Sequence, residues 1–233
     1  MGCQFCAATI GRYVRPLTTG EILLQFISMI EHCGVTEYPK LIAAFQGIGE
    51  PSLVASEVLN ASLMIRQLDA RNVVSISTTG TNLNGVHMWR EAHLPISVLQ
   101  FSVTATSDSS HKQITPRVPN FDALLKEIIL CTESASIEVV NVNYILLRNI
   151  NDSVMHIEYL ARIFSGTRVR FRVASLNATS ASNRFRLAQA SKEEAIAFAE
   201  HLLDKGVNAS VFGAFNDTNV SCGQLSFTKT RRN

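Results

Sequence analysis

The chain has 233 residues, 46% of them hydrophobic and 17% charged, and a formal net charge of +2. The length suits one large domain with a sizeable core, and the low charged fraction argues against a disordered chain. No run of about 18 apolar residues occurs, so no membrane span is predicted, and the small net charge does not by itself indicate a nucleic-acid partner.

Apolar runs and amphipathic segments alternate along the chain. In chain order the predicted elements are a helix capped by Thr19, a strand at 40–46, a helix at 52–68, strands at 72–78 and 96–104, a helix at 121–131, a strand at 138–147, a helix at 153–164, a strand at 169–174, a helix at 191–203 and a strand at 208–213. The strand runs are short, partly β-branched and almost uncharged, as expected for strands covered on both faces. Six strands with intervening helices predict an α/β fold, and about six repeats favour a partial (β/α)6 barrel of parallel strands with outer helices.

The two ends of the chain carry separate expectations. A βα series should begin with a strand, whereas here a loop and a helix come first, so we expect the first strand to lie upstream of Met1. We assign residues 1–215 to the barrel core and residues 216–233 to a C-terminal loop and tail that carries Cys222.

Five cysteines occur, at positions 3, 6, 33, 131 and 222. Their odd number and irregular spacing argue against a disulfide framework, and no secretory signal pattern opens the chain, so a reducing cytoplasm is predicted. Cys3 and Cys6 are spaced so that two thiolates can hold one metal ion or two corners of a cluster, although two small buried residues would give the same pattern. Cys33 and Cys131 fall in helical patterns and are predicted to be buried.

Several short motifs follow one another along the chain. They are Cys3-Gln4-Phe5-Cys6-Ala7-Ala8, Gly47-Ile48-Gly49-Glu50-Pro51, Ser77-Thr78-Thr79-Gly80, Ser102-Val103-Thr104-Ala105, Tyr144-Ile145-Leu146-Leu147 with Asn151-Asp152-Ser153, and Ser221-Cys222-Gly223-Gln224-Leu225. Each motif is weak alone. The ordered set spans nearly the whole chain and resembles the radical S-adenosylmethionine (SAM) methyltransferases of rRNA and tRNA adenines, the RlmN/Cfr family.

This resemblance implies an iron–sulfur enzyme that uses SAM. It implies a [4Fe–4S] cluster with Cys3 and Cys6 among its ligands, and reductive cleavage of SAM to a radical. The SAM-binding residues that it implies are Gly49, Glu50, Ser77, Ser102, Val103, Thr104 and Asn177. In the family, the cysteine that matches Cys222 accepts a methyl group, which then becomes a radical and adds to the adenine ring. An RNA substrate (23S rRNA, or tRNA) and an electron donor such as flavodoxin are implied as partners.

Three departures from the family pattern keep two alternatives open. The first of the family's three cluster cysteines would fall before Met1, Thr104 replaces a histidine, and Ser175 replaces a proline. One alternative is a related radical SAM enzyme with another substrate, and the other is an inactive fragment or paralogue that binds RNA or a partner. The arginines at positions 168, 170 and 172 alternate along one predicted strand, either as RNA contacts or as a solvated face.

Overall fold

Six parallel strands form one sheet whose spatial order follows the chain. The computed structural model describes residues 1–10, 13–34 and 40–213. The strands are β1 (Ile42–Phe45), β2 (Val73–Thr78), β3 (Ile96–Val103), β4 (Ile137–Leu146), β5 (Arg170–Ser175) and β6 (Ala209–Phe212), and each pairs in parallel with its sequence neighbours. This open, helix-covered sheet confirms the predicted partial barrel, and every predicted strand is present within a few residues of its expected bounds.

Helices connect the strands. They are α1 (Thr19–Cys33), α2 (Ala55–Leu68), α3 (Leu83–Glu91), α4 (Asp108–Ile114), α5 (Phe121–Glu133), α6 (Val154–Phe164), α7 (Ser180–Arg184) and α8 (Lys192–Asp204). The short helices α3, α4 and α7 were not predicted from the sequence. None of the helices in the described ranges is long and apolar enough to cross a membrane.

The N-terminus of α1 corrects one prediction. Thr18, and not Thr19, caps the helix: its side chain accepts a hydrogen bond from the backbone N–H of Glu21, whose carboxylate accepts one from the Thr18 N–H at 2.9 Å. This reciprocal pair is a capping box, which satisfies two backbone donors that the helix itself cannot.

The hydrophobic core lies between the sheet and its outer helices. Alternate strand residues, such as Ile76, Phe101 and Tyr144, enter this core and are fully buried. Because side chains alternate along a strand, the intervening residues point to the opposite, concave face of the sheet. That face carries polar residues, among them Ser77, Gln100 and Arg172. The fold therefore separates an apolar convex core from a polar concave surface.

The β1 edge of the sheet is less covered than its centre. Among the described residues β1 pairs only with β2, and Ile42 is 62% exposed. Helix α1 contributes no buried residue, and Cys33 at its end is exposed, so its predicted burial was wrong. The burial predicted for Cys131 is confirmed, and it raises the pKa of that thiol to about 12.

Candidate functional site

The residues predicted to bind SAM lie mostly at the carboxyl ends of the strands. Because all six strands are parallel, these ends meet at one edge of the sheet, where ligands bind in α/β folds. After β1 the chain turns through Gly47 and Gly49, whose φ angles are +101° and +126°. These backbone angles strongly favour glycine, so the turn places Glu50 directly behind the strand end.

Glu50 is buried, with 9% of its surface exposed, and its carboxylate is surrounded by donors of the protein. One oxygen accepts hydrogen bonds from the Ser52 backbone N–H at 3.0 Å and from the Thr78 hydroxyl. The other accepts from the backbone N–H and the hydroxyl of Thr79, both at 2.9 Å. These four bonds match the usual acceptor capacity of a carboxylate. In this structure Glu50 therefore ties the turn after β1 to the end of β2, and its role toward the SAM ammonium stays a prediction.

The predicted site residues on β2 and β3 divide between the two faces of the sheet. Ser77 accepts a hydrogen bond from Gln100 Nε2 at 3.2 Å and donates to Gln46 Oε1 at 3.4 Å on the concave face. Ser102 is half-buried on the same face. Val103 is fully buried in the convex core, so only its backbone can meet a ligand.

Thr104 directly follows β3 and is fully buried. It is held in place by Asn151, which the sequence analysis named only as part of a motif. The Asn151 side chain donates to the Thr104 carbonyl at 2.9 Å and to the Ile145 carbonyl at 2.8 Å. Its Oδ1 accepts from the Leu147 N–H at 2.7 Å. Asn151 therefore fixes the ends of β3 and β4 relative to each other. Asn177 is half-buried in the loop after β5.

Cys3 and Cys6 lie in one tight turn that is docked onto the loops at this edge. The Cys6 N–H donates to the Cys3 carbonyl at 3.2 Å. The turn is anchored by the Gln4 N–H, which donates to the Ile114 carbonyl at 2.9 Å, and by the Thr179 hydroxyl, which donates to the Phe5 carbonyl at 3.1 Å. These contacts reach the segments that follow β3 and β5, so both thiols lie near the carboxyl edge of the sheet.

The two thiols fit part of a cluster site. Burial, with a smaller contribution from the neighbouring Cys6, raises the pKa of the Cys3 thiol to about 11. Iron binding requires thiolates, so a cluster would have to displace this proton. Within residues 1–10, 13–34 and 40–213, no group of three or more cysteine, histidine or acidic side chains is arranged to hold a metal ion. Cys3 and Cys6 are therefore two candidate ligands, and their role in holding a cluster stays a prediction.

The sequence analysis named Ser77 and Arg172 separately but did not predict that they belong to one polar band on the concave face. Gln46, Ser77, Gln100 and Arg172 are joined by consecutive hydrogen bonds, the last from Arg172 Nη1 to Gln100 Oε1 at 3.0 Å. The Arg172 guanidinium also stacks on the Phe212 ring, 3.4 Å from its centroid. We call these five residues the concave band. Polar residues at alternate positions of otherwise apolar strands were the available signal. The predicted methyl-carrying residue, Cys222, lies outside the described residues, as does the predicted C-terminal unit 216–233.

The chain is similar to known RNA methyltransferases along nearly its whole length. The chain is 29% identical over 242 aligned residues to the dual-specificity RNA methyltransferase RlmN of Oleidesulfovibrio alaskensis, covering 99% of this chain and 66% of that protein. It is 28% identical to the probable dual-specificity RNA methyltransferase RlmN of Thermotoga neapolitana, covering 97% and 65%. The chain thus spans about two thirds of the length of these relatives. No protein-family model matches it.

A solved structure gives the same result for the fold. The crystal structure of a radical SAM methyltransferase from Sphaerobacter thermophilus superposes with a TM-score of 0.81 at 21% identity, covering 96% of this chain and 66% of that one. Likeness at this identity establishes the fold, and the sequence relatives are named as RlmN RNA methyltransferases. The chain is a relative of the RlmN radical SAM methyltransferases along nearly its whole length, and its sheet has the radical SAM fold.

Proposed function

We propose that this chain is the core of a radical SAM methyltransferase that acts on an adenine of rRNA or tRNA. The observation that carries the proposal is the turn of Cys3 and Cys6, which is docked at the carboxyl edge of the sheet in a chain related to RlmN proteins. A thiolate pair at this edge lies beside the strand ends, where an α/β fold binds its ligands.

In this proposal, different residues of the chain hold the cluster and SAM. When bound, the cluster and SAM together supply the radical chemistry. Cys3 and Cys6 hold two corners of the cluster, and the third ligand of the family pattern corresponds to a position before Met1. The Ser77 and Ser102 hydroxyls offer hydrogen bonds to SAM from the concave face, and Asn177 offers one from the loop after β5. Thr104 and Val103 contribute backbone groups, because both side chains are buried.

Cys222 is the proposed methyl carrier. A carrier must meet the cofactor and the adenine in turn, and the motif that contains Cys222 is the one that matches the family's carrier cysteine. The reaction also needs an external electron donor, for which we propose a flavodoxin-type protein of the cytoplasm.

The test uses protein made with the sequence that precedes Met1 in its gene included, reconstituted anaerobically with iron and sulfide. We expect methyl transfer from SAM to an rRNA fragment, and the peptide that contains Cys222 should gain the mass of one methyl group. Cys222→Ala should abolish RNA methylation but keep the cluster and SAM cleavage, because Cys222 is not an expected iron ligand. Cys33→Ala is the matched control, since Cys33 is an exposed cysteine at the end of α1. Full methylation by Cys222→Ala would contradict the carrier role.

A second candidate function is an RNA- or partner-binding module without chemistry. Two observations favour it: the described residues contribute two thiols and no third metal ligand near them, and the Glu50 carboxylate is already occupied by protein donors. A protein of this kind would bind RNA in a salt-dependent manner without iron and would not cleave SAM. SAM cleavage that is lost in Cys3→Ala and Cys6→Ala would exclude it.

A further inference from the structure

A line of hydrogen bonds crosses the concave band and leads to Ser77. Arg172 Nη1 donates to Gln100 Oε1 at 3.0 Å, and Gln100 Nε2 donates to Ser77 Oγ at 3.2 Å. The far end of the line is held by the stack of the Arg172 guanidinium on Phe212. Because the proposed function assigns Ser77 to SAM, this line connects the interior of the band to a candidate contact of the cofactor.

The register of the sheet explains how these side chains meet. Gln100 on β3 is paired with Ser77 on β2, so the two side chains are neighbours on the concave face. Arg172 lies on β5, and its side chain crosses β4 to reach Gln100. The environment of Ser77 therefore depends on a residue that lies three strands away.

The direction of the hydrogen bonds is fixed by the chemistry of the arginine. A guanidinium only donates hydrogen bonds, so the group of Gln100 that faces Arg172 must be the carbonyl oxygen. The amide nitrogen of Gln100 then faces Ser77, and this nitrogen is a donor. Ser77 Oγ is therefore the acceptor, and its single hydroxyl proton is left for another partner.

The present partner of that proton is a weak acceptor. Ser77 Oγ lies 3.4 Å from Gln46 Oε1, whereas O–H···O bonds usually span about 2.5–3.0 Å. Ser77 is half-buried near the carboxyl end of β2, and Gln46 is exposed directly after β1. A ligand oxygen at this edge of the sheet can therefore replace Gln46 as the acceptor.

We propose that Arg172, acting through Gln100, is a positioning residue that makes Ser77 a hydrogen-bond donor toward SAM. Ser77 then donates to an oxygen of SAM, either a ribose hydroxyl or the carboxylate. Arg172 and Gln100 need no contact with SAM for this role, because they act on the Ser77 hydroxyl. This inference rests on the proposed function, since that function makes Ser77 a contact of SAM.

The substitution Gln100→Glu reverses the bond to Ser77 at nearly constant side-chain size. A carboxylate only accepts, so it keeps the bond from Arg172 and also takes the Ser77 proton. Ser77 can then no longer donate to a ligand. Gln100→Leu has a different effect, because it removes the bond and leaves the Ser77 proton free.

Binding of S-adenosylhomocysteine (SAH) to the 233-residue chain tests the proposal without a cluster or turnover. Affinities are measured by saturation-transfer NMR. We expect Ser77→Ala to weaken SAH binding about tenfold, because one hydrogen bond is lost, and Gln100→Glu to weaken it to the same extent. The double variant should bind as each single variant does, since both changes remove the same bond. Gln100→Leu should weaken binding clearly less than Gln100→Glu.

The Ser77→Ala background separates the direction of the bond from the added charge. A charge effect of Gln100→Glu would weaken SAH binding in that background too, whereas the proposal expects no further loss. Arg172→Met frees Gln100 to turn either group toward Ser77, so it should weaken SAH binding only when Ser77 is present. Gln113→Glu is the matched control, because Gln113 is exposed on α4, and it should leave SAH binding unchanged. Urea unfolding confirms that each variant is folded.

A second probe identifies the oxygen that accepts from Ser77. 5′-Methylthioadenosine keeps the ribose of SAH but lacks its carboxylate. If Gln100→Glu weakens the binding of both probes, the acceptor is a ribose hydroxyl. If it weakens SAH binding alone, the acceptor is the carboxylate.

Three outcomes would overturn the proposal. They are the absence of detectable SAH binding, unchanged SAH binding in Gln100→Glu, and a further loss when Gln100→Glu is combined with Ser77→Ala. The last outcome would mean that the new charge weakens binding, and not the reversed bond to Ser77. Each of these results leaves the proposed methyl transfer standing, because that function is measured separately by methylation of RNA.

Discussion

The Glu50 carboxylate offers a sharp test of how the candidate site is held together. Replacing it by alanine in Glu50→Ala removes the acceptor for four hydrogen bonds, two of them from the buried residues Ser52 and Thr78 and two from half-buried Thr79. Hydrogen bonds to a charged group contribute about 1.5–3 kcal/mol each, and burying the carboxylate offsets part of their sum. We therefore expect the free energy of unfolding to fall by about 3–5 kcal/mol.

Urea denaturation of the isolated chain measures this change. Glu50→Gln retains one acceptor oxygen but turns an amide N–H₂ toward donors, so it should cost about half as much. Glu138→Ala is the control, because Glu138 is exposed on β4 and should change stability by at most about 0.5 kcal/mol. A loss below about 1 kcal/mol for Glu50→Ala would refute the conclusion that this carboxylate joins β1 to β2.

Three further predictions follow from buried or exposed side chains. His111 is fully buried against Phe121 with both ring nitrogens unpaired, and burial lowers its pKa from 6.5 to about 4. The unfolded chain binds a proton on His111 at a higher pH than the folded chain does. The free energy of unfolding should therefore fall by up to about 3 kcal/mol as the pH drops from about 6.5 to 4. His111→Phe should remove this fall from a plot of the urea midpoint against pH. Asn151→Ala should lower the unfolding free energy by about 3 kcal/mol, because three backbone groups, two of them in fully buried residues, lose their partner. Exposed Asn84→Ala should be neutral in the same denaturation assay. In the native chain the exposed Cys33 should react with a thiol reagent far faster than the buried Cys131. Mass spectrometry of the labelled peptides measures both rates, and equal rates would contradict this prediction.

The strands could be predicted because their signal is local. Each is a short apolar run between polar segments, and a sheet covered by helices requires that pattern. Helix α3 lacks such a signal, since Gly85 lies within it and weakens helix propensity. Its stability comes from distant contacts: Trp89 is fully buried and donates to the Ala55 carbonyl at 3.0 Å. Gly85 itself is required there, because a Cβ would lie 2.5 Å from the Ser52 carbonyl oxygen.

The candidate site, too, could be predicted only where its signal lies in neighbouring residues of the sequence. The strand ends and the Cys3–Cys6 pair follow from the order of elements and from spacing, so both could be predicted. The partners of Glu50 could not, because Thr78 and Thr79 are separated from it by 28 and 29 residues. The bond from Arg172 to Gln100 joins residues 72 apart and depends on the sheet register, which no single-strand pattern reveals.

The agreement between chain order and strand order has a consequence for how the protein is made. Each strand from β2 to β6 pairs with the strand that precedes it in the chain. During synthesis from the N-terminus, every new strand therefore finds a partner that has already left the ribosome, and no strand has to insert between two others. The sheet can grow one βα unit at a time, so the nascent chain exposes one unpaired growing edge rather than several competing ones.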